Sequence, residues 1–208
     1  EAMSIYFQLT YIPSPYSIYE NIYKLNPNSY LSYDIIKNKV SIEKIYIESK
    51  SNLNIKNFQK SKNEIKSLVF NSVKSRSISD VPIGTFLSGG VDSSIISLCL
   101  SKLSNDKINT FSVGFDNKSF DESYKSRKVA KILNSNHHEC IISQNSFQED
   151  LDLVLLNFDE PFADSSALPT YFISKFASNK LKVILTGDGG DELFGGYNKY
   201  YMGIFNKF

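Results

Sequence analysis

Residues 86–94 carry side-chain types suited to holding a chain of phosphates. They read Phe-Leu-Ser-Gly-Gly-Val-Asp-Ser-Ser, between an apolar run and an amphipathic run. Glycines let the backbone approach an anion closely, and a helix N-terminus offers free N–H groups and a partial positive charge. Serine hydroxyls add donors, and the carboxylate of Asp92 suits a Mg²⁺ ion bound to the same phosphates. The candidate nucleotide-binding residues of this loop are Phe86, Leu87, Ser88, Gly89, Gly90, Val91, Asp92, Ser93 and Ser94.

A second glycine-rich loop follows about a hundred residues later. Residues 187–192 read Gly-Asp-Gly-Gly-Asp-Glu after the apolar run 181–186. Asp191 in this loop is the second candidate Mg²⁺ ligand beside Asp92, since hard cations take carboxylate oxygens. The alternative for both aspartates is a structural role in a turn or at a helix N-cap.

Alternating strand and helix patterns must position the two loops. Helical spacing runs through 65–73, and further helices are predicted at about 93–103, 122–133, 147–158 and 168–177. Strands are predicted at 81–87, 109–115, about 138–142 and 181–186. This order predicts an α/β fold with a doubly wound, mostly parallel sheet. Because ligands bind beyond the carboxyl ends of such strands, we expect both loops to form one site.

The first 50 residues have a different character. Prolines interrupt residues 9–18, and residues 30–34 and 40–45 predict a β-hairpin. The polar residues 48–57 predict a linker.

Several classes of protein are disfavoured by the sequence. Residues 86–94, called the phosphate loop below, lack the Gly-Lys-Ser/Thr of a Walker A motif and the spacing of a Rossmann fingerprint. His137 and His138 are adjacent on a predicted strand and therefore point to opposite faces, which favours structural roles over a shared metal ion. A formal charge of +1 over 208 residues predicts neither nucleic acid nor a membrane as partner.

Cys99 and Cys140 lie in apolar runs, which predicts buried free thiols in a reducing cytoplasm.

The phosphate loop resembles the SGGxDS pyrophosphate loop of the N-type ATP pyrophosphatases. Three further segments, in the same order along the chain, resemble the glutamine-dependent asparagine synthetase family. The four matching segments are 88–94 (SGGVDSS), 111–115 (FSVGF), 159–170 (DEPFADSSALPT) and 187–197 (GDGGDELFGGY).

This resemblance implies an adenine nucleotide α-hydrolase-like synthetase domain over residues 58–208. Residues 1–50 would be the short, β-rich tail of a glutaminase domain. The family's synthetase uses ATP and Mg²⁺ to adenylate the aspartate side chain, and ammonia derived from glutamine then displaces AMP. The implied partners are the small molecules aspartate, ATP, and glutamine or ammonia, with a homodimer possible in the full-length protein.

The resemblance also assigns roles to residues outside the phosphate loop. Phe86 and Val113 would be apolar walls for adenine, with plain core packing as the alternative for each. Thr186 and Gly187 would contact the nucleotide through their backbone. Asp188 matches a position often occupied by Glu in the family and linked to formation of the intermediate, so its shorter side chain is a departure. The implied catalytic residues are Asp188 and Asp191, and the implied substrate-binding residues are Asp164, Ser165 and Ser166, for which a loop that caps the next helix is the alternative.

Two family features do not occur in this sequence. The glutaminase domain normally begins with a nucleophilic Cys, and the synthetase half normally continues to a later basic residue. We therefore expect an internal piece of a longer protein, inactive alone as a glutaminase. Two alternatives stay open: a related amidotransferase acting on another carboxylate, and a nucleotide-binding or scaffolding domain without catalysis, against which Asp92 and Asp191 argue.

Overall fold

The computed structural model describes residues 1–46 and 57–200, and the chain divides into two compact units. The first unit comprises Glu1–Lys56 and Leu151–Ala167, and the second comprises Asn57–Asp150 and Leu168–Phe208. The predicted linker at 48–57 lies, except for Asn57, outside the described residues.

The first unit contains helix α1 (Ala2–Leu9) and an antiparallel hairpin of β1 (Ser29–Asp34) and β2 (Lys39–Lys44). The predicted hairpin is confirmed, with Ser32 opposite Ser41. Asn38 in its turn has a φ of 49°, a left-handed conformation that Asn tolerates better than most residues. Helix α1 was missed by sequence reasoning, because eight residues followed by prolines give too short a pattern.

From residue 58 onward, helices and strands alternate as predicted. The predicted strands and helices between residues 58 and 185 are confirmed to within a few residues at their ends, except that the first helix begins at Phe58, well before the predicted stretch 65–73. A short helix over Gly190–Phe194 was not predicted. The elements are α2 (Phe58–Arg76), β3 (Ile83–Phe86), α3 (Val91–Leu103), β4 (Asn109–Phe115), α4 (Ser123–Leu133), β5 (Asn136–Ile142), α5 (Gln144–Leu156), α6 (Ala167–Ser178), β6 (Val183–Leu185) and α7 (Gly190–Phe194).

The four later strands form one parallel sheet in the order β5-β4-β3-β6. Thr85 on β3 pairs with Thr110 on β4 and with Leu185 on β6. The chain therefore moves outward from β3 to β4 and β5, and then returns to place β6 on the other side of β3. This reversal is the topological switch point of a doubly wound α/β sheet, the predicted fold class.

Apolar residues cover both faces of this sheet. One cluster joins Val73 of α2 and Leu100 of α3 to the sheet, and a second joins Phe111 of β4 to Ile173 of α6. The neighbouring residues Leu185 and Ile184 of β6 pack against the first and second cluster respectively, as side-chain alternation along a strand requires. Packing of helices on both faces holds the strands, and with them the loops at their carboxyl ends, in place.

The cysteines agree with their prediction as free thiols. Cys99 is buried in the cluster of α2 and α3, and Cys140 is half-buried on β5. Burial raises the pKa of both thiols.

Among the described helices, none is both long and apolar enough to cross a membrane.

Replacing Phe111 by Ala tests the second cluster. Phe111 is 0% exposed, so its removal should lower the free energy of unfolding by about 3–5 kcal/mol through lost burial and a residual cavity. Denaturant titration of the two proteins measures the difference. Phe120, which is 70% exposed, is the matched control, and an F111A variant as stable as F120A would contradict this account of the core.

Candidate functional site

A cavity of about 560 Å³ lies at the switch point, beyond the ends of β3 and β6. It is formed within the second unit by the loop after β3, the start of α3, and the loop and helix after β6. The lining residues are Phe86, Ser88, Gly90, Val91, Asp92, Ser93, Thr186, Gly187, Asp188, Gly190, Asp191, Phe194 and Gly196. The two glycine-rich loops, about a hundred residues apart in sequence, are therefore parts of one site.

The loop after β3 is held by its own hydroxyl groups. The hydroxyls of Ser88 and Ser93 are 2.9 Å apart, and the backbone N–H of Gly90 donates to Ser88 Oγ at 3.2 Å. Ser94 Oγ donates to the carbonyl of Gly90 at 2.6 Å. These bonds fix the loop before a ligand arrives, so less order has to be imposed on binding.

Two glycines bring the second loop against the first. A Cβ atom at Gly187 would lie 2.9 Å from the backbone nitrogen of Ser93, and one at Gly190 would lie 2.6 Å from the carboxyl carbon of Asp92. Both distances are shorter than real Cβ contacts. A side chain at Gly187 would therefore displace the backbone of α3, and one at Gly190 would displace the carboxylate of Asp92. Glycine at these positions allows the second loop to lie against the first turn of α3 with Asp92 in its observed place.

Three carboxylates line the cavity, those of Asp92, Asp188 and Asp191. Thr186 Oγ1 donates to Asp188 Oδ2 at 2.8 Å, which orients that carboxylate at the end of β6. Asp191 lies in the first turn of α7 and Asp92 in the first turn of α3. Three acidic groups around one cavity repel a polyphosphate unless a cation lies between them.

The donor set fits a Mg²⁺ ion, because Asp92 and Asp191 present carboxylate oxygens to the same cavity. Among the described residues, no group of three His, Cys, Asp or Glu side chains is close enough to hold a metal by itself. That is compatible with Mg²⁺, which is commonly bound by one or two carboxylates together with substrate phosphates and water.

Four predicted nucleotide-binding residues lie beside the cavity without lining it. Leu87 is fully buried and Gly89 packs against α4. The hydroxyl of Ser94 turns back onto Gly90, and Val113 packs with the apolar cluster around Phe111. Their nucleotide-binding roles stay predictions. The role of Phe86 as the other adenine wall is also a prediction, since Phe86 lines the cavity but packs against the same apolar cluster as Val113.

Three lining residues were missed by sequence reasoning: Gly190, Phe194 and Gly196. Gly190 and Phe194 belong to α7, and Gly196 follows that helix. No helix was predicted there. The signal was present in the run Gly-Gly-Asp-Glu-Leu-Phe-Gly-Gly, where paired glycines bracket one helical turn.

The predicted substrate-binding residues Asp164, Ser165 and Ser166 lie in the segment before α6. Asp164 Oδ1 accepts hydrogen bonds from the backbone N–H of Ser166 at 2.8 Å and from its hydroxyl at 2.7 Å. These bonds lower the pKa of Asp164. Its carboxylate therefore orders the turn that leads into α6, and the substrate-binding role of the three residues stays a prediction.

The N-terminal segment holds the residues just before that turn, within the first unit. The backbone N–H of Ala163 donates to the carbonyl of Thr10 at 2.9 Å, and Tyr19 Oη donates to the carbonyl of Asp159 at 2.8 Å. Lys24 forms an ion pair with Glu160. The segment at 159–163 is thus ordered by residues more than 130 positions earlier.

The ring nitrogens of both histidines have hydrogen-bond partners on the neighbouring strand β4. This agrees with the prediction that both residues have structural roles. The ring nitrogens of His137 lie 2.9 Å from Thr110 Oγ1 and 3.1 Å from Ser112 Oγ. His138 Nε2 lies 3.0 Å from Asn109 Oδ1, and its ring stacks on Phe111. Burial lowers the pKa of both imidazoles.

Fold and site together define an α/β protein with a cavity at its switch point that two glycine-rich loops line. Residues 64–207 match the family model described as asparagine synthase, which covers more than half of the chain. The chain belongs to the asparagine synthase family.

Curated relatives agree with this membership. A putative glutamine-hydrolysing asparagine synthetase of Methanocaldococcus jannaschii is 39% identical over the whole chain and 41% of the relative. Glutamine-hydrolysing asparagine synthetase 1 of Bacillus subtilis is 34% identical over 96% of the chain and 31% of the relative. The chain thus spans about two fifths or less of these two proteins.

Among solved structures, an NH3-dependent NAD synthetase from Campylobacter jejuni is 17% identical, with a TM-score of 0.41 over 68% of this chain and 61% of that chain. A likeness of that size adds nothing to the assignment.

Replacing Gly89 by Ala should destabilise the phosphate loop. Gly89 has a φ of 84°, and an added Cβ would lie 2.6 Å from the backbone of α4. The left-handed conformation alone costs about 1–3 kcal/mol for a residue with a side chain. Thermal and denaturant unfolding should show G89A to be less stable than G90A, whose new Cβ meets only Ser88 Oγ at 3.3 Å. Equal stability would contradict the contact between this loop and α4.

The folded state should resist protonation of His137. A lowered pKa in the folded protein means that the unfolded chain binds the proton first, so stability is highest above the unfolded value of about 6.5 and falls as the pH drops below it. NMR titration should give His137 a midpoint below 6.5, and H137Q should show a weaker loss of stability in acid. A midpoint at or above 6.5 would contradict the burial described.

Proposed function

We propose that this chain is the ATP-binding part of a glutamine-dependent asparagine synthetase. The observation that carries this proposal is the cavity of about 560 Å³ that residues of both the Ser88–Ser93 loop and the Gly187–Gly196 loop line. Membership of the asparagine synthase family supports an amide ligase that uses ATP. Glutamine as nitrogen source is supported by the names of the relatives.

The proposed reaction has two steps. An oxygen of the aspartate side-chain carboxylate attacks the α-phosphorus of ATP, the bond to the bridging α–β oxygen breaks, and pyrophosphate leaves. Ammonia, released by hydrolysis of glutamine, then attacks the carbonyl carbon of the aspartyl adenylate. AMP leaves with the bonding electron pair, the nitrogen loses a proton, and asparagine is formed.

The residues of this chain would act mainly by positioning. Phosphate oxygens would take hydrogen bonds from the serines and backbone N–H groups of the loop after β3, at the positively polarised start of α3. Phe86 would offer an apolar surface to the adenine. Holding the polyphosphate in line with the attacking carboxylate supplies much of the rate enhancement in such reactions.

Asp92 and Asp191 would hold Mg²⁺, which would neutralise the charge of the departing pyrophosphate. Asp188, oriented by Thr186, would lie beside the reacting groups as the proposed counterpart of the family's acidic residue. These carboxylates also make the catalytically inactive alternative less favourable, since a binding module has no need of three acidic groups around an anion.

Replacing Asp92 by Ala should abolish the Mg²⁺-dependent part of ATP binding. Isothermal titration of the complete gene product with ATP, with and without Mg²⁺, measures this directly. In the unmodified protein Mg²⁺ should strengthen ATP binding, and in D92A this difference should vanish. D80A removes an exposed aspartate before β3 and should behave like the unmodified protein. Mg²⁺-dependent binding that survives in D92A would refute the ligand role.

The acceptor can be tested by supplying different carboxylates to the complete gene product. With ATP, Mg²⁺ and ammonium, aspartate should give AMP and asparagine in equal amounts. Glutamine should replace ammonium as the nitrogen source. AMP formation with a sugar acid and none with aspartate would move the protein to a related amidotransferase. No AMP with any carboxylate would favour a protein without catalysis.

A further inference from the structure

The first turn of α4 forms the rear wall of the phosphate loop. A Cβ at Gly89 would lie 2.6 Å both from the carbonyl carbon of Lys125 and from the backbone nitrogen of Ser126. Ser126 is fully buried there. Loop and helix are therefore in backbone contact, and the place where α4 begins sets the place of the loop.

Asp121 fixes the beginning of α4 to the end of β4. Its Oδ1 accepts hydrogen bonds from the backbone N–H groups of Ser123 at 3.2 Å and Phe115 at 3.3 Å. Its Oδ2 accepts from Ser123 Oγ at 2.9 Å. These bonds lower the pKa of Asp121, so the carboxylate stays ionised.

Arg127, one turn further along α4, connects this start of the helix to β5. Its Nη2 donates to Ser123 Oγ, and the same nitrogen lies 3.8 Å from Asp121 Oδ2. Its Nε lies 3.2 Å from Glu139 Oε2 on β5 and donates to the carbonyl of Ser123 at 3.3 Å. One guanidinium thus contacts β5, Asp121 and the first turn of α4.

Glu139 depends on this guanidinium. Its Oε2 is buried and has no hydrogen-bond partner among the described residues. The nearby charge of Arg127 is what stabilises it, although the N–H does not point at the oxygen well enough for a hydrogen bond. The side chain of Arg127 is 56% exposed and that of Glu139 is 22% exposed. Replacing Arg127 therefore leaves the partly buried Glu139 carboxylate without its counter-charge, so α4 should shift relative to β5.

We propose that Arg127 is a positioning residue for the phosphate loop. It holds the first turn of α4 against Gly89 through Asp121 and Ser123 on one side and Glu139 on the other. This inference rests on the proposed binding of ATP at the loop. Arg127 itself does not line the cavity, so it acts on the polyphosphate only through α4 and Gly89.

The test compares ligands that do and do not need the phosphate loop. In R127M, the dissociation constants of MgATP and magnesium pyrophosphate should rise by about 10-fold or more, as is usual when a residue that orients a binding group is lost. The affinity for AMP, which lacks the β and γ phosphates, should stay unchanged. Isothermal titration of the complete gene product measures all three ligands.

Two variants separate positioning from general loss of structure. K128M removes the same charge from the next residue of α4, an exposed position, and should leave all three affinities unchanged. R127K keeps a positive charge without the planar fork and should recover part of the affinity for ATP and pyrophosphate. If R127M folds poorly, E139Q should give the same selective loss, and combining E139Q with R127K should add little to either change.

The positioning role of Arg127 and the proposed binding of ATP fail with different experimental results. Parallel loss of AMP, ATP and pyrophosphate affinity in R127M, R127K and E139Q would overturn the positioning role, because it would show general disruption. Unchanged affinities in all three variants would overturn it as well. Failure of the unmodified protein to bind MgATP would instead remove the proposed function on which the inference rests.

Discussion

The site depends on the close approach of two glycine-rich loops at the ends of β3 and β6. Gly187 and Gly190 allow the second loop to lie against the first turn of α3, where a side chain at either position would collide with Ser93 or Asp92. This approach is available because the parallel sheet places β6 directly beside β3, although β4, β5 and four helices separate them in sequence. Strand order therefore brings Asp92 and Asp191 to one cavity.

In the proposed function, that arrangement concentrates negative charge where the polyphosphate would bind. The serines, backbone N–H groups and helix N-termini favour phosphate, while the carboxylates oppose it. A bound cation would offset the repulsion between the carboxylates and the phosphates, so phosphate binding and Mg²⁺ binding should be mutually dependent. Dependence of this kind lets a protein distinguish MgATP from a simple anion.

Much of this could be predicted from the sequence because it follows from local patterns. The period of apolar residues placed the strands and helices from residue 58 to 185, and the two glycine-rich loops marked strand ends. Helix α7 was not recognised, because its signal, paired glycines around one helical turn, also fits a loop. For Val113 the sequence left core packing and an adenine wall as alternatives, because a strand pattern does not say which helix covers which side chain. The network of Arg127 joins β5 to α4 through tertiary contacts, and such contacts have no signature in a single sequence.

The hydrogen bonds of Thr10 and Tyr19 and the ion pair of Lys24 have a consequence for dividing this protein into pieces. A cut at residue 57, where the sequence changes character, would separate the segment at 159–163 from all three partners. The buried Ile12 and the half-buried Glu160 would lose their surroundings as well. Residue 57 is therefore not the boundary of an independently stable piece. A shortened protein should keep residues 10–24, either in the same chain or as a separate peptide.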